Sequence, residues 1–206
     1  MNDYLISKIV EYYDFKLKIH GPNYKGVDWN SIESQLLRFN QILKLIKDKK
    51  TRFCLLDFGC GYGALYHYMN KLYDDFHYSG YDISKAMIDK AKEINRKSNC
   101  IWYTTLDNKT NFDYVVLSGI FNVKIKFSKK EWELYIFNTL DKINSISTKG
   151  FSFNMLSNLA EKEKREKKLY YADPSYFLNY CQNFFSQKTE LLENYSLYEF
   201  TIIVRK

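Results

Sequence analysis

The stretch that most constrains this chain runs from Leu55 to Tyr66 and reads LLDFGCGYGALY. A short apolar run ends in an acid, and Gly59, Gly61 and Gly63 then follow at every second position. Glycines between a strand and a helix permit backbone angles closed to other residues, and they let a ligand approach backbone N–H groups. Three alternating glycines exceed what a tight turn needs, so the stretch predicts a ligand-binding loop.

Beyond this stretch the chain alternates short apolar strands with helices, which is typical of an α/β protein with a mainly parallel sheet. Ligands of such sheets bind beyond the carboxyl ends of the strands, which is where the glycine stretch lies. The predicted strands cover residues 52–58, 77–82, 100–104, 112–118 and 150–155, and a β-rich run over 197–206 ends the chain.

The first fifty residues have a helical pattern instead. Apolar residues recur with a period near 3.6 over residues 3–18, and a second helix is predicted from a cap at Asn30 to Lys49. We therefore divide the chain into an N-terminal helical extension, residues 1–50, and an α/β domain, residues 51–206.

The composition indicates a single domain with a small appendage. The 206 residues contain no apolar run near the length that crosses a membrane, which argues against membrane insertion. The start of the chain does not have the pattern of a signal peptide. Four scattered cysteines and three histidines match no metal spacing. These features predict reduced thiols, a cytoplasmic location and no metal.

The net charge of +7 has two interpretations. It is compatible with an anionic partner such as nucleic acid. It also fits a compositional bias, because the chain is rich in Asn, Ile, Tyr and Phe as well as Lys, and the basic residues are spread along it. We favour the second interpretation. The charged run over residues 161–168 alternates in sign and predicts a solvated helix face.

Two acids indicate which kind of ligand the glycine loop binds. The loop satisfies the dinucleotide pattern G-x-G-x-x-G/A only loosely. Asp57 stands two residues before the first glycine, where it can meet a cationic or hydroxyl-bearing group. Asp82 ends the next predicted strand, 19 residues after Gly63. That is the distance expected of a carboxylate that binds a ribose diol.

With these residues in place, the chain resembles the class I S-adenosylmethionine-dependent methyltransferases. LLDFGCGYG is similar to their first motif, a strand ending in D/E-x-G-x-G-x-G, and GYDISKAMIDKAK is similar to their second. CIWYTTLDN and FDYVVLSGIFN resemble the next two motifs, and YEFTIIVRK resembles the antiparallel final strand. The resemblance covers about residues 50–206. It implies a Rossmann-like sheet of seven strands, mostly parallel with the last strand pair antiparallel, and an N-terminal helical lid.

The resemblance implies S-adenosylmethionine as cofactor and S-adenosylhomocysteine as product. Gly59 and Gly61 would pass close to the methionine part, with Asp57 near its amino group. Asp82 would accept hydrogen bonds from the ribose hydroxyls. The further residues assigned to the cofactor are Cys60, Gly63, Ile83 against the adenine, Met87, Asp107, Ser118 at the sulfonium end and Arg38.

Two of these assignments have ordinary alternatives. Asp107 matches the acid that accepts from the adenine amino group in many members, but it could equally be a turn aspartate. Arg38 would hold the cofactor carboxylate in a charge-assisted pair, or it would be a cation on a helix surface.

The segments KGVDWNSIESQLLRF and YYADPSYF resemble a group of small bacterial methyltransferases of surface-polysaccharide assembly. That resemblance implies O-methylation of a small polar acceptor such as a sugar or a phosphoramidate. The loops after the fourth and fifth strands then nominate the acceptor residues Phe121, Asn122, Asn154, Tyr170 and Tyr171. His20 or Asp173 would be the general base, against the alternatives of a surface histidine and a helix cap.

The sequence argues against several other acceptors. After the fourth strand it reads SGIFN, whereas enzymes that methylate amino groups of nucleic acids and glutamine have N/D-P-P-Y/F there. It lacks a Cys-Pro pair of the kind used on cytosine C5, and 206 residues leave no room for a recognition domain. Nucleic acid is therefore disfavoured. Two alternatives stay open, an RNA or protein methyltransferase and a catalytically silent cofactor-binding partner subunit. The oligomeric state is not predicted.

Overall fold

A computed structural model describes residues 3–96, 100–107, 109–161, 163, 165–193 and 195–206. Within these residues eight strands form one sheet in the order β3-β2-β1-β4-β5-β8-β7, and β6 pairs with the last two residues of β5, beyond the register with β4. The strands are β1 Phe53–Phe58, β2 Phe76–Tyr81, β3 Ile101–Tyr103, β4 Phe112–Leu117, β5 Ser147–Ser157, β6 Tyr171–Ala172, β7 Thr189–Leu192 and β8 Glu199–Arg205. Only β8 runs antiparallel to its neighbours. The predicted Rossmann-like fold is confirmed.

Helices cover both faces of the sheet. They are α1 Asp3–His20, α2 Ile32–Ile42, α3 Ala64–Met69, α4 Lys85–Ile94, α5 Lys129–Ile146 and α6 Pro174–Phe184, with 3-10 turns at Tyr24–Val27 and Leu43–Leu45. Side chains cap the first turn of α4, α5 and α6; the caps are Ser84, Ser128 and Asp173.

Three local predictions differ from the structure. The second helix begins after Ser31 rather than Asn30, because Ser31 and Ser34 cap each other reciprocally, and it ends at Ile42. The described residues of the charged run 161–168 form no α-helix. There the guanidinium of Arg165 instead donates to the carbonyl of Ala160. Strands β6 and β7 were not predicted, since strands of two and four residues are too short to show an alternation of apolar and polar residues.

The two faces of the sheet bury separate apolar clusters. Leu56 and Phe58 of β1 lie in one cluster and Phe53 and Leu55 in the other, as alternation along a strand requires. Helix α1 contributes Leu5 and Ile9 to the first cluster. Helix α2 contributes Phe39 and Ile42 to the second. The segment between these helices must therefore pass around the sheet from one face to the other.

That crossing segment, residues 21–31, lies at the carboxyl end of the strands, since its Val27 and Trp29 contact the glycines that follow β1 and β4. The division of the chain at residue 50 stays a prediction, because both N-terminal helices share the core of the sheet. No helix in the described ranges is long and apolar enough to span a bilayer.

Candidate functional site

The glycine loop after β1 has a backbone that only glycine adopts readily. Gly59, Gly61 and Gly63 have φ values of 85°, 53° and 85°, in the left-handed region that side chains disfavour. Added Cβ atoms would also meet protein atoms. At Gly63 the Cβ would lie 2.6 Å from the ring of Trp102, and at Gly61 3.0 Å from Val27. The glycines thus serve the turn itself and the close packing of neighbouring side chains on it.

A partly enclosed cavity lies beside this loop at the carboxyl end of the sheet. Eight of the residues predicted for the cofactor line it: Asp57, Gly59, Cys60, Gly61, Asp82, Ile83, Met87 and Ser118. Residues of α1, the crossing segment and α2 also line the cavity. The resemblance implied a lid of N-terminal helices, but the sequence did not identify its cavity-lining residues, which are Ile9 and Tyr13 of α1, Val27 and Trp29 of the crossing segment, and Gln35 and Phe39 of α2.

Asp82 directly follows β2, and two backbone N–H groups hold its carboxylate. Gly61 donates to Oδ2 at 2.8 Å and Ser84 donates to Oδ1 at 2.9 Å. Each oxygen can still accept another hydrogen bond on the cavity side. Burial raises the pKa of the Asp82 carboxyl to about 6, although both hydrogen bonds lower it. The group is therefore oriented in advance to accept from a pair of hydroxyls or to face a cation.

Asp57 is the second carboxylate on the cavity wall, and it is only 3% exposed. The hydroxyl of Tyr78 donates to its Oδ2 at 2.6 Å. Burial raises the pKa of Asp57 to about 7; the neighbouring Asp82 adds to the rise, and the Tyr78 hydrogen bond opposes it. The described residues that line the cavity include no lysine, arginine or histidine. Two carboxylates in a largely apolar cavity suit a ligand that is cationic.

Polar contacts fasten the N-terminal residues over the cavity. Asp28 in the crossing segment forms an ion pair with Lys16 of α1 at 2.5 Å and accepts from the hydroxyl of Tyr12. Lys168, from the loop after β5, lies 3.7 Å from the same carboxylate. The cap residue Ser84 of α4 donates to Asp14 of α1. Helix α1 and the crossing segment, together called the cover below, are thus bonded both to the start of α4 and to the loop after β5.

The wall after β4 carries an unpaired hydroxyl. Ser118 lines the cavity, and its Oγ is buried without a hydrogen-bond partner among the described residues. The next residue, Gly119, has a φ of 75°, and the ring of Trp29 packs directly on it. Gly119 N donates to Oδ1 of Asn154 at 2.8 Å. The Ser118 hydroxyl is therefore held on a fixed backbone and remains available to a ligand.

Arg38 has a different partner from the predicted cofactor carboxylate. It is 5% exposed and lies outside the cavity lining. Its guanidinium binds Glu199 of β8 through Nε at 2.8 Å and Nη2 at 2.6 Å and stacks on Trp29 at 4.0 Å. Glu199 in turn accepts from Nδ2 of Asn154. Arg38 is therefore a buried structural cation in this structure.

The residues predicted for the acceptor do not line the cavity either. Four are buried and engaged within the protein: Phe121 in the core, Asn122 through Leu156 N, Asn154 between Gly119 and Glu199, and Tyr170 through Glu133. Tyr171 is half-buried on β6, where its hydroxyl accepts from Glu166 N. The structure gives each of them a packing or hydrogen-bonding role.

The remaining predicted residues lie away from the cavity. His20 is exposed at the end of α1, and Asp173 is an exposed cap whose Oδ1 accepts from Tyr176 N. Asp107 is an exposed turn residue whose Oδ1 accepts from Lys109 N. Gly63 faces Trp102 rather than the cavity. In this structure His20 is thus a surface histidine, Asp173 a helix cap and Asp107 a turn aspartate, which are the alternatives named for them above.

Comparisons with known proteins agree with the motifs. A family model described as a methyltransferase domain matches residues 56–135, from β1 into α5. A Mycobacterium tuberculosis protein named as a methyltransferase is 41% identical over 157 residues, which cover 75% of this chain and 93% of that protein.

Solved structures share the fold over nearly the whole chain. Magnesium protoporphyrin IX methyltransferase from Synechocystis PCC 6803, with bound S-adenosylhomocysteine, gives a TM-score of 0.68 at 16% identity over 98% of this chain and 99% of that one. The N-methyltransferase NodS from Bradyrhizobium japonicum WM9, in complex with the same compound, gives 0.63 at 14% identity over 96% and 97%. At such low identity the likeness concerns the fold.

Proposed function

The chain belongs to the class I S-adenosylmethionine-dependent methyltransferases, and from that premise we propose that it transfers the sulfonium methyl group to a small polar acceptor. The observation that carries the proposal is the Asp82 carboxylate. Both of its oxygens are already fixed by backbone N–H groups, and it faces a cavity that it shares with Asp57.

The donor set of the cavity fits S-adenosylmethionine. Asp82 offers two oriented acceptors to a ribose diol, and Asp57 offers a second anion. Ile83 and Met87 supply apolar surface for an adenine. A sulfonium ion adds a fixed positive charge that two buried carboxylates favour. The ligand supplies an already activated methyl group, so the protein needs chiefly to bind, orient and exclude water.

Three parts of the chain surround the proposed ligand site. The glycine loop and Asp82 fix one side of the ligand, and the crossing segment with α1 covers it. Ser118 and Ile120, after β4, form the remaining wall. An acceptor that reaches the methyl group must therefore pass between this wall and the cover. A narrow approach of this kind favours a small molecule or a slender extended group.

The finer identity of the acceptor rests on the sequence resemblance. O-methylation of a sugar or phosphoramidate group in surface-polysaccharide assembly is the acceptor that the N-terminal segments suggest. The described cavity residues include no histidine or lysine that could act as base for a sugar hydroxyl, and a phosphoramidate oxygen, which is already anionic, would need none. His20 and Asp173 are exposed and lie outside the cavity lining, so neither is placed in this structure to take a proton from an acceptor.

The experiment that tests the proposed function follows the methyl group from S-adenosylmethionine labelled in its methyl carbon. We expect label in a small product when nucleotide-linked sugars and phosphoramidates are screened, and none in total RNA or in a protein mixture. Binding of S-adenosylmethionine without transfer to any acceptor would favour a silent partner subunit. Label in RNA, with strong salt dependence, would favour the nucleic-acid alternative.

The affinity for S-adenosylmethionine is expected to fall as the pH is lowered from about 8 to about 5.5. Asp57 and Asp82, with pKa values of about 7 and about 6, must be ionised to face a cation. Affinity should therefore drop roughly tenfold per pH unit between the two pKa values, and more steeply below about pH 6, where both groups become protonated. Calorimetric titration at each pH measures this dependence.

The matched variant for this prediction is Asp57→Asn, which keeps an acceptor for the Tyr78 hydroxyl. It should lose the pH dependence above about pH 6.5, where Asp57 titrates. The unliganded protein should show the opposite trend. Both carboxyls have higher pKa values when folded than when unfolded, so the stability that these two groups contribute is lost as the pH rises from about 4, the pKa of an unfolded aspartate, to about 7. An affinity independent of pH would contradict the assigned ionic role.

A further inference from the structure

The cavity contains two carboxylates and no described cationic side chain, yet the amino-acid part of S-adenosylmethionine carries a carboxylate of its own. We propose that the side-chain amide of Gln35 receives this carboxylate. The inference rests on the proposed cofactor, and it assigns to a neutral donor the task that a cation such as Arg38 was predicted to perform.

Gln35 is placed for this task by its burial and its free donors. It lines the cavity and is only 6% exposed. The hydroxyl of Tyr62, next to Gly61 in the glycine loop, donates to Gln35 Oε1 at 3.4 Å. Nε2 donates to no described residue, and it is not among the fully buried polar atoms that lack a partner, so it reaches solvent where Gln35 lines the cavity. Both of its N–H bonds can therefore be given to a ligand carboxylate without breaking a hydrogen bond within the protein.

The position of Gln35 on its helix adds to the argument. It is the fourth residue of α2, and the backbone of Ser34 beside it is capped by Ser31. The first turn of an eleven-residue helix carries a partial positive charge that favours a nearby anion. A carboxylate at Gln35 therefore gains from the helix as well as from the amide.

Arg38 cannot bind the ligand carboxylate while its guanidinium is paired with Glu199. Its guanidinium lies one turn further along α2 and is held by Glu199 through two nitrogens. Releasing it toward the cavity would leave Glu199 buried without its counter-ion, which is strongly unfavourable. A neutral amide also differs from a guanidinium in its effect on the cavity, because it does not offset the negative charge of Asp57 and Asp82. That charge favours the sulfonium of the substrate over the neutral thioether of the product.

The test compares two ligands that differ in the amino-acid part. S-adenosylhomocysteine carries the carboxylate, and 5′-methylthioadenosine lacks the whole amino-acid group. Gln35→Glu keeps the shape of the side chain but places a negative charge beside the ligand carboxylate. We expect it to weaken S-adenosylhomocysteine about tenfold or more and to leave 5′-methylthioadenosine within about twofold. Gln35→Ala should weaken S-adenosylhomocysteine by a smaller factor in the same selective way.

The matched control is Gln41→Ala, because Gln41 is equally buried on α2 but lies outside the cavity. It should not change the ratio of the two affinities. Gln35→Ala keeps the test decisive if Gln35→Glu fails to fold. Equal weakening of both ligands, or no change in either, would overturn the role of Gln35 and leave the cofactor standing. If the wild-type protein binds neither ligand, both the inference and the proposed function fail.

Discussion

Replacing Asp82 by alanine is expected to abolish measurable binding of S-adenosylhomocysteine, with affinity reduced by about a hundredfold or more. The carboxylate is assigned two hydrogen bonds from ribose hydroxyls, and each such bond to a charged group contributes about 1.5–3 kcal/mol. Two of them correspond to at least a hundredfold in the dissociation constant. Calorimetric titration of the wild type and the variant measures the difference directly.

Asparagine at this position should be nearly as damaging, for a reason that the local structure supplies. Both carboxylate oxygens of Asp82 accept backbone N–H groups, from Gly61 and from Ser84. An amide has only one oxygen, so its NH₂ group would face one of these donors. Asp82→Asn would therefore disturb the glycine loop or the start of α4 as well as the ribose contacts.

Asp107 provides the matched control for Asp82. It was also predicted to bind the cofactor, but its carboxylate is exposed and accepts from Lys109 N within a turn. Asp107→Asn should leave the affinity within about twofold, since surface substitutions away from a site have small effects. A loss of affinity in Asp107→Asn would show that the turn moves to the adenine. Tight binding by Asp82→Ala would refute the assignment of the ribose site.

The motifs predicted the cofactor side of the site because its chemistry is local in the sequence. Asp57, the glycines and Asp82 each stand at the end of a strand, and strands β1 and β2 are adjacent in the sheet. Parallel strands bring their carboxyl ends to one edge. The predicted ends of the strands are therefore enough to place these residues together. They do not show which side chains pack on the glycines.

The acceptor side could not be predicted in the same way. Asn154 was chosen because it lies near the end of a predicted strand, but β5 continues to Ser157, and Asn154 is paired with Thr201 of β8 just beyond the register with β4. A strand in the middle of a sheet with both faces covered buries consecutive side chains, so alternation gives no clue to which one faces a ligand. The same burial places Phe121 in the core.

The contacts of the N-terminal residues were the least predictable. Arg38 and Glu199 are 161 residues apart in the sequence, and Trp29 packs on Gly119. No periodicity relates such positions, since the contacts depend on the path of the crossing segment around the sheet. Gln35 lies only three residues from Arg38, on the same side of α2. The residue proposed here to receive the cofactor carboxylate is therefore a near neighbour of the one that the resemblance nominated, but it lines the cavity and Arg38 does not.

Replacing Glu199 by glutamine is expected to destabilise the protein by about 3–5 kcal/mol, which is the usual cost of removing one partner of a buried ion pair. Arg38 would stay buried at 5% exposure without a counter-ion. Its Nη1 already has no partner among the described residues, so little else can compensate. Denaturant unfolding of the wild type and the variant measures the change in the free energy of unfolding.

A neighbouring pair gives the control. Glu190 of β7 binds Arg205 of β8 at 2.8 Å, but its side chain is 49% exposed. Glu190→Gln should cost less than about 1 kcal/mol, because water and salt screen an exposed pair. The two variants make the same chemical change in one sheet, so the difference between them isolates the effect of burial. Equal costs would show that the Arg38–Glu199 pair is solvated.

Removing both charges separates the ion pair from the packing around it. In Arg38→Met with Glu199→Gln no unpaired charge is left, and the amide at position 199 can still accept from Asn154. We expect this double variant to recover much of the stability that Glu199→Gln loses. It would still lack the guanidinium that stacks on Trp29 and so holds that ring against Gly119. A stable double variant with weakened S-adenosylhomocysteine binding would therefore assign the pair to positioning the cover, whereas unchanged binding would assign it to stability alone.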